Sequence, residues 1–71
     1  MKTKFKYIEF EQDGPDMERW FIVNRKDHVD MGQIILNDKG IWIVDIFYPN
    51  FWWWSDCLKE LARFLDRLNG E

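Results

Sequence analysis

Residues able to do chemistry are few in this chain, and they are scattered. His28 is its one histidine, in the polar run Arg25-Lys26-Asp27-His28 with Asp30 just beyond. An imidazole beside carboxylates is a unit of general acid–base work. Catalysis also needs a second group within hydrogen-bond reach whose pKa is tuned by burial or neighbours. The local sequence supplies no such group, so His28 reads as a solvated loop residue. Zinc takes about four ligands, and one Cys with one His cannot furnish them unless carboxylates are recruited from several elements. Cys57 falls near the start of an expected helix, where the dipole can lower a thiol pKa; on that helix's apolar flank it reads instead as buried and inert. Glu9, Glu11, Asp13, Asp16 and Glu18 straddle a turn. Such oxygens suit hard cations, yet their spacing matches no calcium loop, and they read as a solvated hairpin end. No phosphate-cradling glycine loop, nucleophile elbow or HExxH run occurs. The expectation is a chain that is not an enzyme, with no metal and no cofactor.

The elements that must position these residues are bounded by size. A chain of 71 residues buries only about 60% of its unfolded surface, so one domain spanning residues 1–71 is expected. With 46% hydrophobic and 32% charged residues, the composition excludes disorder over the whole chain. The net charge of −3 offers no basic field to nucleic acid or an anionic membrane. A lone cysteine argues against a disulfide-stapled secreted scaffold. Met1–Lys6 has signal-peptide charge with no apolar stretch behind it, and no apolar run approaches a membrane span. A soluble cytoplasmic protein is expected.

Glycine and proline punctuate four strand-like stretches and one helical one. Lys4–Glu11 alternates, with Lys4, Lys6, Ile8 and Phe10 on one side and Phe5, Tyr7, Glu9 and Glu11 on the other. Met17–Asn24 forms a second strand, placing Trp20 and Ile22 opposite Phe21 and Val23. Met31–Leu36 forms a third. Asn37-Asp38-Lys39-Gly40 suits a type I turn closed by a left-handed glycine with a G1 bulge. That turn pairs Leu36 with Trp42, Ile34 with Val44 and Gly32 with Ile46 on an apolar core face. Ile35 with Ile43, Gln33 with Asp45 and Met31 with Phe47 then share the other face. Leu58, Leu61, Leu65 and Leu68, widened by Cys57, Ala62 and Phe64, form a helical stripe, with Glu60 among the solvent-side residues. Ser55 is the expected N-cap, an alternative start lying at Asn50, and Asn69-Gly70 the stop. The expected fold is α+β, a four-stranded antiparallel meander with one C-terminal helix packed on one face.

Aromatic residues make up 18% of the chain, including five Trp and six Phe. One helix covers one sheet face, leaving Phe21, Val23, Ile35, Ile43 and Phe47 without a cover. Exposed apolar patches of several hundred Å² mark interaction surfaces, and aromatics dominate interface hot spots. The expected contact patch is Phe47, Phe51, Trp52 and Trp53 with Ile35 and Ile43; the alternative is that the strands curl and tuck these rings into a minicore. Trp54, ahead of the expected cap, faces Lys59 rather than an apolar staple partner. A second copy of the chain is one way to cover such a face, giving a homodimer through Phe21, Val23, Ile35 and Ile43. Sheet aromatics also stack bases in single-stranded RNA modules, and here Phe5 and Tyr7 alternate with Lys4 and Lys6. Interleaved carboxylates oppose a phosphate backbone, so no nucleic-acid partner is expected. Mimicry of DNA by carboxylates asks for more charge than −3.

From Trp20 to Asn69 the chain shows a Trp-led strand, a Gly32-x-Ile34 strand, a Gly40-x-Trp42 opening, and a Trp54-Ser55 entry into a helix ending Leu68-Asn69. This layout resembles small orphan accessory and host-takeover proteins of tailed bacteriophages and prophages. The resemblance implies a cytoplasmic role, inhibiting or redirecting a host protein by direct contact. It carries over no functional residue.

Overall fold

In the computed structural model, residues 1–14, 18–46 and 53–70 are described. They form four strands, β1 (Ile8–Gln12), β2 (Arg19–Asn24), β3 (Asp30–Leu36) and β4 (Trp42–Ile46), followed by the helix α1 (Ser55–Leu68). The sheet is antiparallel in the order β1-β2-β3-β4, the expected α+β meander. No helix among the described residues is long and apolar enough to cross a membrane.

The β3–β4 hairpin follows from its turn chemistry. Asn37 Oδ1 accepts the N–H groups of Lys39 and Ile41 at 2.9 and 3.0 Å, and Gly40 sits at φ +79°, where a side chain would strain the backbone. The register is the one this turn dictates, with Leu36 opposite Trp42, Ile34 opposite Val44 and Gly32 opposite Ile46. Gly32 has a second reason to be glycine: a Cβ there would lie 2.7 Å from the Asp45 carbonyl oxygen. The two strands approach too closely at that point for any side chain.

The core lies between the sheet and α1. Phe10 stacks on Phe64 with centroids 3.9 Å apart, and Phe5 and Trp20 meet this pair edge-on. Ile8, Ile22, Ile34, Cys57 and Leu61 complete the cluster, with Trp20, Trp42, Val44, Trp53, Leu65 and Leu68 packed against it. Full burial of a side chain such as Phe64 or Ile22 stabilises by about 1.5–3 kcal/mol.

Several expectations need correction. The first strand is shorter than Lys4–Glu11, because the chain turns at Lys6-Tyr7: the Phe5 N–H donates to Ile8 O at 2.9 Å and the Phe10 N–H to Thr3 O at 2.9 Å. This fold-back breaks the alternation and puts Phe5 inside, beside Phe10. Among the described residues the second strand begins at Arg19; Met17, its expected start, lies outside them. Met31 was expected on the mixed face. Because Ile22 pairs with Gly32 and Val23 with Asp30, Met31 is an extra residue in the ladder, a bulge that re-aims its side chain into the core. Ile46, assigned to the core face, is exposed at the edge strand opposite side-chain-less Gly32. Of the pair Met31–Phe47 expected on the opposite face, Phe47 lies outside the described residues.

The helix is turned relative to the leucine stripe. Leu58 and Ala62 are exposed, whereas Cys57, Glu60, Leu61 and Phe64 are buried. Trp54, not Ser55, is the N-cap, with extended backbone and no side-chain cap bond; its carbonyl accepts the Leu58 N–H at 3.0 Å. Trp54 has an aromatic partner after all, meeting Tyr7 edge-on at 5.0 Å.

Candidate functional site

Two features of the sheet face opposite α1 stand out. Along β1 the core takes Ile8 and Phe10, so Glu9 and Glu11 project to the far side, two residues apart on one face. Their partners in the register are Val23 and Phe21. The loop from β2 to β3 brings His28 to these carboxylates. Asn24 Oδ1 accepts the Lys26 N–H at 2.9 Å and Asp27 Oδ1 the Val29 N–H at 3.2 Å, shaping the loop. The His28 N–H donates to Asn24 O at 2.8 Å, and His28 takes φ +61°, a left-handed conformation that His visits more readily than most residues.

The result is a Glu–His–Glu cluster. His28 Nδ1 lies 3.8 Å from Glu9 Oε1, and His28 Nε2 lies 3.4 Å from Glu11 Oε2. The His28 side chain is 65% exposed, whereas that of Glu9 is only 15% exposed. Neither carboxylate receives a hydrogen bond shorter than these contacts among the described residues. His28 and the acidic group thus come together, whereas the sequence reading kept them as separate solvated features. The other acidic residues go elsewhere: Asp13 binds the Arg19 guanidinium through Nε at 2.9 Å and through Nη2, and Asp16 lies outside the described residues.

The second feature is apolar. Ile35 pairs with Ile43 on this face; Ile35 is half-buried and Ile43 is 40% exposed. Beside them Gln33 donates from Nε2 to Asp45 Oδ2 at 3.0 Å. The face is less bare than the sequence suggested. The Arg19 guanidinium lies 5.2 Å from the Phe21 ring centroid, a cation–π cover, and Val23 is fully buried. Of the expected contact residues, Phe47, Phe51 and Trp52 lie outside the described residues. Trp53 packs against the helix-side core, away from Ile35 and Ile43, and its buried Nε1 has no hydrogen-bond partner among the described residues.

Compared with known proteins, the chain matches no family model, no curated protein and no solved structure.

A third arrangement was invisible in the sequence. Glu60, expected on the solvent side, is 8% exposed, and its Oε1 accepts the N–H groups of Tyr7 and Ile8 at 3.1 and 3.2 Å. Arg25 Nη1 donates to the Phe5 carbonyl of the same turn at 2.7 Å. A carboxylate satisfied by backbone amides is structural chemistry: it ties the N-terminal turn to the helix. Cys57 is buried, and its pKa is pushed up from 9.0 by desolvation, with the Glu60 and Asp56 carboxylates adding and a hydrogen bond with the Trp54 backbone opposing. Burial and the raised pKa favour the protonated, less nucleophilic form of that thiol at neutral pH.

Proposed function

We propose that the chain is a non-enzymatic binding protein that covers the surface of a partner protein, as an inhibitor or modulator of the phage type does, with Ile35 and Ile43 at the centre of the contact. The reading is supported by one observation above others: Ile43 stands 40% exposed beside Ile35 on the sheet face that α1 does not cover. The adjoining Gln33–Asp45 hydrogen bond satisfies part of these polar groups, and a partner that covers them must supply donors to the rest of the Asp45 carboxylate. The base-stacking alternative loses its motivation, since Phe5 is buried in the core.

A photo-crosslinking residue placed at position 43, with a control at the exposed position 67 on α1, tests this in a bacterial lysate. The expected result is an adduct from position 43 that excess wild type competes away and an Ile43→Glu variant does not. An adduct at twice 8.8 kDa identifies a second copy as the occupant. Identical adducts from both positions, or equal competition by Ile43→Glu, overturn the reading.

A further inference from the structure

The geometry points to a divalent transition-metal site built from Glu9, Glu11 and His28. Among the described residues, these are the three groups whose ligand atoms all lie within 4.8 Å of one another. Two carboxylate oxygens and one imidazole nitrogen are a donor set of borderline hardness, suited to zinc and its first-row neighbours rather than to calcium, which prefers oxygen alone. This inference is independent of the apolar contact proposed above and uses none of its residues.

Three features of the cluster favour a cation. The first is the state of Glu9. Its side chain is 15% exposed, and its contact with His28 Nδ1 at 3.8 Å is too long for a hydrogen bond. A half-buried carboxylate with no hydrogen-bond donor on it among the described residues leaves its lone pairs open to a cation. The second is placement. Glu9 and Glu11 share one face of a regular strand, so their spacing is set by the sheet. His28 is delivered by a loop that Asn24 and Asp27 shape. Two ligands on a rigid element and a third on a short ordered loop form a largely pre-arranged site.

The third is reach. Bonds of about 2.0–2.2 Å around a tetrahedral zinc put neighbouring ligand atoms about 3.3 Å apart. The His28–Glu11 distance of 3.4 Å already has that size. Closing the cluster from separations of up to 4.8 Å asks the exposed imidazole to rotate, because one ring nitrogen must leave its carboxylate to let the other bind, and the two glutamate side chains to draw together. Three protein ligands leave a fourth position for water or for a donor from a partner.

Calorimetric titration of tag-free protein with zinc chloride, in a non-coordinating buffer, tests the site. The variants are His28→Asn, which keeps a residue tolerant of the left-handed backbone, Glu9→Gln, and Asp38→Asn in the distant β3–β4 turn. The wild type is expected to bind one zinc saturably, with the His28 ring resonances shifting in step. His28→Asn and Glu9→Gln should weaken binding at least about tenfold, and Asp38→Asn should leave it unchanged. If Glu9→Gln does not fold, Glu11→Gln carries the comparison, since that side chain is exposed. Absence of saturable binding up to about 1 mM zinc, or equal affinity in wild type and His28→Asn, overturns the inference.

Discussion

Glu60 Oε1 accepts the backbone N–H of Ile8 at 3.2 Å, joining the middle of α1 to the first residue of β1 across 52 positions of sequence. The same oxygen takes the Tyr7 N–H, so one carboxylate satisfies two adjacent amides where the chain turns into the sheet. Glu60→Ala leaves both donors without this partner. Hydrogen bonds to a charged group contribute about 1.5–3 kcal/mol, and urea unfolding should show a loss in that range. Glu60→Gln, which keeps a carbonyl acceptor, should lose less. Equal stability of wild type and Glu60→Ala refutes the role.

Asn69 does comparable work at the other rim of the sheet. Its Oδ1 accepts the Trp42 N–H at 2.8 Å and its Nδ2 donates to the Trp42 carbonyl at 3.1 Å, imitating one rung of a neighbouring strand. Asn69→Ala should cost about 1 kcal/mol and speed amide hydrogen exchange at Trp42 more than at Ile43. Uniform exchange changes along β4 would assign the effect to α1 instead.

Gly32→Ala should be more damaging than its position in a solvent-accessible small sheet suggests. The added Cβ meets backbone at 2.7 Å, and backbone of a paired strand cannot step aside as a flexible side chain does. Overpacking of this kind costs about 1–3 kcal/mol, read as a lowered denaturation midpoint. Gly40→Ala meets no atom within 4 Å, and its penalty is conformational, arising from φ +79°.

Burial raises the Cys57 pKa above its ordinary 9.0, which fixes the sign of a pH effect. Below that ordinary value the thiol is neutral in both folded and unfolded chains, and its contribution to stability is fully present. As pH rises towards the folded pKa, the unfolded chain releases its proton first and stability falls. Urea midpoints between about pH 8 and 11 should decline more steeply for wild type than for Cys57→Ala. Parallel declines would place the alkaline sensitivity on tyrosine or lysine.

Replacing Ile35 or Ile43 by Lys separates contact from core. Surface substitutions usually stay within about 0.5 kcal/mol, so Ile43→Lys should leave stability near wild type while failing, as excess competitor, to displace the adduct formed from position 43. A loss as large as that of a core residue would assign Ile43 to packing.

What could be read from the sequence is what is encoded locally. Asn37 and Gly40 each state a backbone requirement within four residues, so the β3–β4 register from Gly32–Ile46 to Leu36–Trp42 was legible. The helix was legible from its period, and with it the two-layer arrangement. Its exact facing was not, because Leu58 looks like a core residue and Glu60 like a surface one until the amides of Tyr7 and Ile8 arrive from the other end of the chain. Phe5 and Met31 were misplaced for a related reason: one early turn and one bulge shift the parity of alternation. The turn at Lys6-Tyr7 has no glycine or proline to announce it, and the bulge lies beside Gly32, whose close strand contact gives it a separate reason to be glycine. The Glu9–Glu11 pairing on one face was visible as a two-residue spacing. The approach of His28 was not, since it depends on how a polar loop folds back over a neighbouring strand.

Because a ribosome makes the chain from its N-terminus, the turn at Tyr7 and Ile8 leaves the exit tunnel long before the carboxylate that completes it. The strands can pair as they emerge, but the two amides wait on water until residue 60 is free to reach them, and the Trp42 rim waits until residue 69. Closure of the fold therefore follows pairing of the strands, with the contacts of longest sequence separation made last. During that interval the apolar faces of the nascent hairpins are without their helix, and transiently exposed surface of this kind is what makes unfinished chains prone to aggregate.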